Sequence, residues 1–231
     1  MKNVLVIYPG GYHGEFFIGN IVSNTDKFHY HSFECRSKEF NAYNYESTGN
    51  EIAHEQSAED LKRCSELHNK PIISRSCDHH LTDPITKTKK SLNIIHLHSD
   101  DHLYRIRAKL LFSIKQLDKA YNHENGILDS VPTSFIVPKK DFGWTAHVPS
   151  DRIVHIDIKD WLHNDHDVIG KIEWFLGIEY TQTMKDEVAE YYLRDEELLN
   201  EYYNNWTYKK PNELIKEIAE LHKRHAFLWK I

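Results

Sequence analysis

Three cysteines, two methionines and nine glycines are all that 231 residues contain of those types. Cys35, Cys64 and Cys77, odd in number and irregularly spaced, exclude a disulfide framework and fit a reducing compartment. No run comes near the roughly 18 apolar residues of a membrane span, and mean hydropathy is −0.64. The apolar stretch Val4–Tyr8 is too short for a signal peptide, so a cytoplasmic protein without a membrane role is expected. A basic excess is also missing. Lys and Arg number 29 against 35 Asp and Glu, a net charge of −6, which argues against general nucleic-acid binding but leaves room for a local basic pocket. Repeats, low-complexity tracts and Gly/Ser linkers are absent. The expectation is one domain over residues 1–231, with a helical extension from about residue 181.

What is present is concentrated. Histidines number 17, which keeps metal chemistry in view. Four of the nine glycines, Gly10, Gly11, Gly14 and Gly19, fall within ten residues, where backbone must turn sharply or approach another group. Asn3–Tyr8 reads as a buried strand ending in Pro-Gly-Gly, and Glu15–Val22 as a helix. Strands are further expected at Phe28–Phe33, Pro71–Ser74, Ser91–His98 and Arg152–Ile158. Helices are expected at Ser57–His68, at Asp100–Tyr121 with Leu103, Ile106, Leu110, Ile114 and Leu117 on one face, and at Asp167–Leu176, stopped by Gly177. Thr183–Tyr203 and Pro211–Trp229 read as terminal helices. Short strands alternating with helices mean an α/β fold with a mostly parallel sheet flanked by helices. Ligands of such sheets bind at the carboxyl ends of the strands, here Tyr8, Ser74–Asp78, His98–Asp101 and Ile158–Asp160.

The first of these ends is the richest. Tyr8-Pro9-Gly10-Gly11-Tyr12-His13-Gly14-Glu15-Phe16-Phe17 passes from strand to helix through glycines, so that backbone N–H groups and the positive end of a helix dipole can face a phosphate or sulfate. A tight turn with no ligand is the plainer alternative. The loop lacks the Gly-Lys-Ser/Thr ending of a Walker A motif, with Glu15 where its lysine would stand, which disfavours ATP hydrolysis.

Tyr-Pro, a glycine-bearing loop and a helix opening on aromatics resemble the 5′-phosphosulfate loop of PAPS-dependent sulfotransferases. The Pro-Gly-Gly-Tyr-His-Gly-Glu-Phe-Phe form is similar to divergent sulfotransferase-like P-loop proteins of viral or marine microbial origin. Further pieces follow in the family's order. Pro71–Leu81 resembles the strand that carries the catalytic His, Asn93–Ser99 the strand leading to the 3′-phosphate segment, and Arg152–Asp157, Trp161-Leu162 and Ile172–Ile178 the late strand, acidic turn and Phe-Leu-Gly helix end. The resemblance covers roughly residues 1–180. It implies a P-loop NTPase-like sheet with C-terminal helices, PAPS as sulfuryl donor, and a small-molecule or glycan acceptor. It places Gly10, Gly11, Tyr12, His13, Gly14, Glu15 and Phe16 around the donor, with Arg105 and Ser113 spaced as a 3′-phosphate pair. Two departures stand out: Gly10 occupies the place of the family's catalytic lysine, and Arg105 and Ser113 fall deeper in their helix than the family's pair.

A histidine suits general-base work on an acceptor hydroxyl. His79 and His80, just past a strand, are the candidates, and His13 is a candidate for contact with the moving charge; the plainer reading makes each a surface or core residue. Arg107 joins Arg105 as an anion candidate, and Lys139, Lys140 and Phe142–Trp144 form a candidate lid. A rival reading uses His96-Leu97-His98-Ser99-Asp100-Asp101-His102, which resembles a metallohydrolase signature with one residue too many; His96 and His98 share a strand face and a possible metal. A second rival is an inactive binding protein on the same fold, with Tyr191, Tyr192, Tyr202, Tyr203, Tyr208, Trp206 and Trp229 as a protein contact surface.

Overall fold

The structure, a computed structural model, describes residues 2–8, 12–30, 62, 65–77, 92–101, 103–108, 110–111, 148–206, 213 and 216. The chain divides into two compact units: residues 1–98 with 140–190, and residues 99–139 with 191–231.

The first unit is built on a sheet. Its described strands are β1 (Val4–Tyr8), β2 (His29–Tyr30), β3 (Ile72–Cys77), β4 (Asn93–His98) and β5 (Ile153–Asp157), in the spatial order β2-β3-β1-β4-β5. Every pairing is parallel, which makes this an α/β fold with a parallel sheet flanked by helices. β1 lies at the centre and all five of its residues are buried, the reason it reads as an unbroken apolar run. β5 alternates half-buried and buried, as expected where a strand has one covered face.

Helix α1 (Gly14–Asn24) follows β1 directly. Phe16, Phe17, Asn20 and Ile21 form its buried stripe. Near its end, side chains bond back to carbonyls one turn earlier: Ser23 Oγ donates to Gly19 O at 2.7 Å, Asn24 Nδ2 to Asn20 O at 2.9 Å and Thr25 Oγ1 to Ile21 O at 2.8 Å. α1 packs on β1, β2 and β3. Helices α2 (Ile158–Leu162) and α3 (His166–Leu176) follow β5 and pack against it. The long helix α4 (Gln182–Trp206) comes next, with Met184, Val188, Tyr191 and Leu199 buried at helical spacing.

Some expectations shift. The β5 strand stops at Asp157, not Ile158: Asp157 Oδ1 accepts from Lys159 N at 2.9 Å and starts α2, so Ile158–Asp160 is helix, not a strand end. β3 runs on to Cys77, because β1 offers it partners through Tyr8. In the second unit residues 103–108 and 110–111 are helical, and Asp101 Oδ1 caps Leu103 N and Tyr104 N at 2.8 and 3.1 Å. Tyr104 is buried there while Leu103 is exposed. Ile114 and Leu117, Phe40–His54, most of Ser57–His68 and Pro211–Trp229 lie outside the described residues. Among the described residues no helix is long and apolar enough to cross a membrane.

Candidate functional site

The chain winds to opposite sides after two neighbouring parallel strands, β1 and β4. From β1 the chain goes through α1 to β2, on the β3 side of β1; from β4 it goes to β5, on the other side. The carboxyl ends of β1 and β4 therefore flank the crevice where open parallel sheets bind ligands. Tyr12, His13, Gly14, Glu15 and Phe16 all lie in the turn that leaves β1 at this edge.

Their side chains serve different ends. Tyr12 and Phe16 are both 2% exposed, so what they offer a ligand is backbone. Phe16 packs on Trp161 with ring centroids 5.8 Å apart, and Phe17 at 5.0 Å. His13 is the N-cap of α1 with φ 54° and ψ 21° and makes no side-chain cap bond. This left-handed conformation is uncommon outside glycine. The first helical bond is Phe17 N to His13 O at 2.9 Å, so the N–H groups of residues 14–16 belong to the opening turn, whose direction favours an anion. Glu15 is half-buried in that same turn; it complements the helix dipole and competes with an incoming anion. Gly14 answers to a neighbour within the chain: a Cβ built on it falls inside the Tyr8 ring.

On the sheet face shared by Leu5, Ile7, Ile72 and Ile94, the amino-terminal end is an apolar cluster with Leu92 and Val148. Towards the carboxyl end the same face turns polar. The register sets His96 beside Ile7 and His155, and His98 beside Asp157. His96 is fully buried, and its Nδ1 lies 3.1 Å from Nδ1 of His155. The His98 ring stands 5.7 Å from that of His96 and 6.0 Å from that of His155. Burial, then the neighbouring His155 and His98, lowers the His96 pKa from 6.5 to about 3. At the far corner Asp160 is raised above the ordinary carboxylate range by desolvation first and by Asp157 and Asp165 next. That acidic corner disfavours phosphate, which leaves the β1–β4 end as the better place for an anion.

Among the described residues no group of three or more His, Cys, Asp or Glu is placed to hold a metal ion. Arg105 is half-buried in the helical segment of the second unit, and Arg107 there is ion-paired with Glu196. Tyr191 is buried and Tyr192 half-buried. Gly10, Gly11, His79, His80, Ser113, Lys139, Lys140, Phe142–Trp144, His102 and Tyr208 lie outside the described residues, as do the side chains of Tyr202, Tyr203 and Trp206. His155 is the residue that reading strand by strand passes over. Its signal is relational: His-x-His in one alternating strand and His-x-Asp in another meet only once the two are paired.

No protein-family model matches the chain, and no curated protein matches it. Among solved structures the chain is similar to the mouse sulfotransferase SULT7A1 complexed with PAP, at 11% identity and a TM-score of 0.48, over 82% of this chain and 63% of that one. The chain thus spans less than two thirds of that enzyme's length.

Proposed function

We propose that the chain is a sulfotransferase-like protein that takes PAPS, or another phosphorylated nucleotide, on the turn between β1 and α1. The observation that carries this reading is that the chain leaves the parallel neighbours β1 and β4 towards opposite sides of the sheet, with the opening turn of α1 at that edge. The sequence resemblance supplies the donor's identity. In the reaction the bond from sulfur to the phosphate oxygen breaks and a bond from sulfur to the acceptor oxygen or nitrogen forms. The acceptor's proton passes to His79 or His80, and adenosine 3′,5′-bisphosphate leaves. Loop amides and His13 stabilise the charge that moves to the leaving phosphate. We read the chain as a divergent form of viral or marine microbial type, from the Pro-Gly-Gly-Tyr-His-Gly-Glu-Phe-Phe form of that turn, acting in the cytoplasm, from its three irregularly spaced cysteines.

Calorimetry with adenosine 3′,5′-bisphosphate tests the donor site. Saturable one-site binding is expected, and His13→Gly, which tolerates the left-handed backbone, weakens it at least about tenfold, as loss of a charge-assisted contact does. Absence of heat at millimolar ligand removes the nucleotide from the reading. A second reading, a binding protein without chemistry, is favoured by Gly10 itself; radiolabelled PAPS with a panel of hydroxyl and amine acceptors separates the two, transfer of label supporting the enzyme.

A further inference from the structure

Helix α1 carries at its middle a residue that local chemistry does not favour. Asn20 is fully buried, yet an asparagine in a helix interior competes with the backbone, and burying its amide costs desolvation. Leucine would suit both the helix and the core better. The bonds of the Asn20 side chain all leave the helix. Nδ2 donates to Met184 O at 3.1 Å and to Glu187 Oε2 at 2.9 Å, and Oδ1 accepts from Tyr180 Oη at 2.6 Å. Asn24, one turn on, donates to the same Glu187 oxygen at 2.8 Å. The Tyr180 hydroxyl accepts in turn from Trp161 Nε1 at 2.9 Å, and the Trp161 ring lies against Phe16 and Phe17 in the first turn of α1. The helix is thus held at its opening by ring contacts and at its middle by directed bonds. Ring contacts stay favourable through small slides and rotations. A hydrogen bond weakens steeply as its angle is lost, so a satisfied buried network selects one position of the helix.

We infer that Asn20 and Glu187 are positioning residues of the anion turn: they fix the slide and rotation of α1, and with them the aim of its opening turn at the carboxyl edge of the sheet. The inference rests on the reading of that turn as the seat of a nucleotide's anionic end. Asn20 stands six residues after Gly14, about 9 Å along the helix axis. Its part is therefore played through the helix, a stiff rod between anchor and turn, and not by contact with the ligand. Positioning of this kind is worth much at a site built from backbone amides, since a shift of about 1 Å can cost about a hundredfold.

The test works from the Glu187 side, which leaves α1 itself intact. Glu187→Gln removes the charge and keeps an oxygen for the two asparagine amides; Glu187→Ala removes both. The two variants lose the same charge, so the difference between them reads the anchor. In calorimetry with adenosine 3′,5′-bisphosphate, Glu187→Gln is expected within about twofold of the native chain, and Glu187→Ala and Asn20→Leu at least about tenfold weaker. Val148→Ala takes packing from the apolar cluster at the sheet's amino-terminal end; it lowers stability and is expected to keep the native affinity within about twofold, which separates aim from stability. In the ligand-free chain the amide signals of Gly14 and Glu15 are expected to move in Glu187→Ala and to hold in Glu187→Gln. Equal affinities for the two Glu187 variants, or an equal loss in Val148→Ala, overturn the inference. If the native chain itself gives no heat, it is the nucleotide reading that fails, and the amide signals then decide the anchor: unmoved in Glu187→Ala, they overturn it. If Asn20→Leu does not fold, the Glu187 pair decides.

Discussion

Replacing one hydrogen of Gly14 by a methyl group drives it into the Tyr8 ring, and Tyr8 is only 5% exposed, so the ring has little room to retreat. Alanine is otherwise the better helix former, by about 1 kcal/mol; overpacking of a filled core costs about 1–3 kcal/mol, so the net change is destabilising. Gly14→Ala is expected to lower the denaturant midpoint without changing the slope, and Tyr8→Leu with Gly14→Ala to cost less than the sum of the two single changes, read in a double-mutant cycle. Additive costs would show that ring and glycine do not meet. The glycine cluster is visible in the sequence, and so is its position between strand and helix. What the sequence hides is which partner each glycine serves, since that depends on how a side chain six residues earlier is turned. The same holds for His13: its type suggests a polar contact, but its left-handed backbone belongs to the sharpness of the turn and leaves no trace in residue type.

Elements were legible where local rules act alone. β1 is a continuous apolar run because all five of its residues are buried at the centre of the sheet. α3 declares both ends: Asp165 Oδ1 accepts from Asp167 N at 3.0 Å and Val168 N at 3.1 Å, and Gly177 closes the helix at φ 58°. Asp165→Ala removes the acceptor for two otherwise unsatisfied N–H groups and is expected to destabilise the chain by about 1 kcal/mol, with Asp165→Ser restoring most of it; thermal melting of the three proteins reads this. Legibility failed where two local readings compete. Ile158, Trp161 and Leu162 suit a strand as well as a helix, and only the Asp157 cap turns the chain. Leu103 fits the apolar spacing of its helix yet is exposed, while Tyr104 is buried, because the angular position of a first turn is set by its cap. The histidine face of β4 followed from alternation, but its partnership with β5 required the order of the sheet, which no local pattern carries.

At the scale of the molecule, the first unit is assembled from residues 1–98 and 140–190, and a buried polar chain stitches the two segments together. Trp161 Nε1 donates to Tyr180 Oη at 2.9 Å, Tyr180 Oη donates to Asn20 Oδ1 at 2.6 Å, and Asn20 Nδ2 donates to Met184 O at 3.1 Å and Glu187 Oε2 at 2.9 Å. Asn24 Nδ2 reaches the same carboxylate oxygen at 2.8 Å. The Tyr180 hydroxyl is pushed above its ordinary range by burial, with the Glu187 charge adding to this and the Trp161 bond opposing it. It therefore stays protonated at every pH the fold tolerates and can always donate to Asn20. Tyr180→Phe keeps the ring and deletes the hydroxyl, leaving the indole N–H and an amide oxygen without their partner in a dry setting. Each such loss costs about 1–3 kcal/mol, so the variant is expected to lose about 3 kcal/mol by denaturant unfolding, more than removal of a single hydrogen bond. Trp161→Phe removes one of the two stranded groups, and the double variant is expected to recover about 1 kcal/mol of the summed cost. A Tyr180→Phe loss below about 0.5 kcal/mol, the low end for one hydrogen bond, would mean that the segment after α3 does not hold α1 against α2, and that apolar contacts such as those of Phe16 and Phe17 with Trp161 suffice to place the opening turn of α1 at the sheet's carboxyl edge.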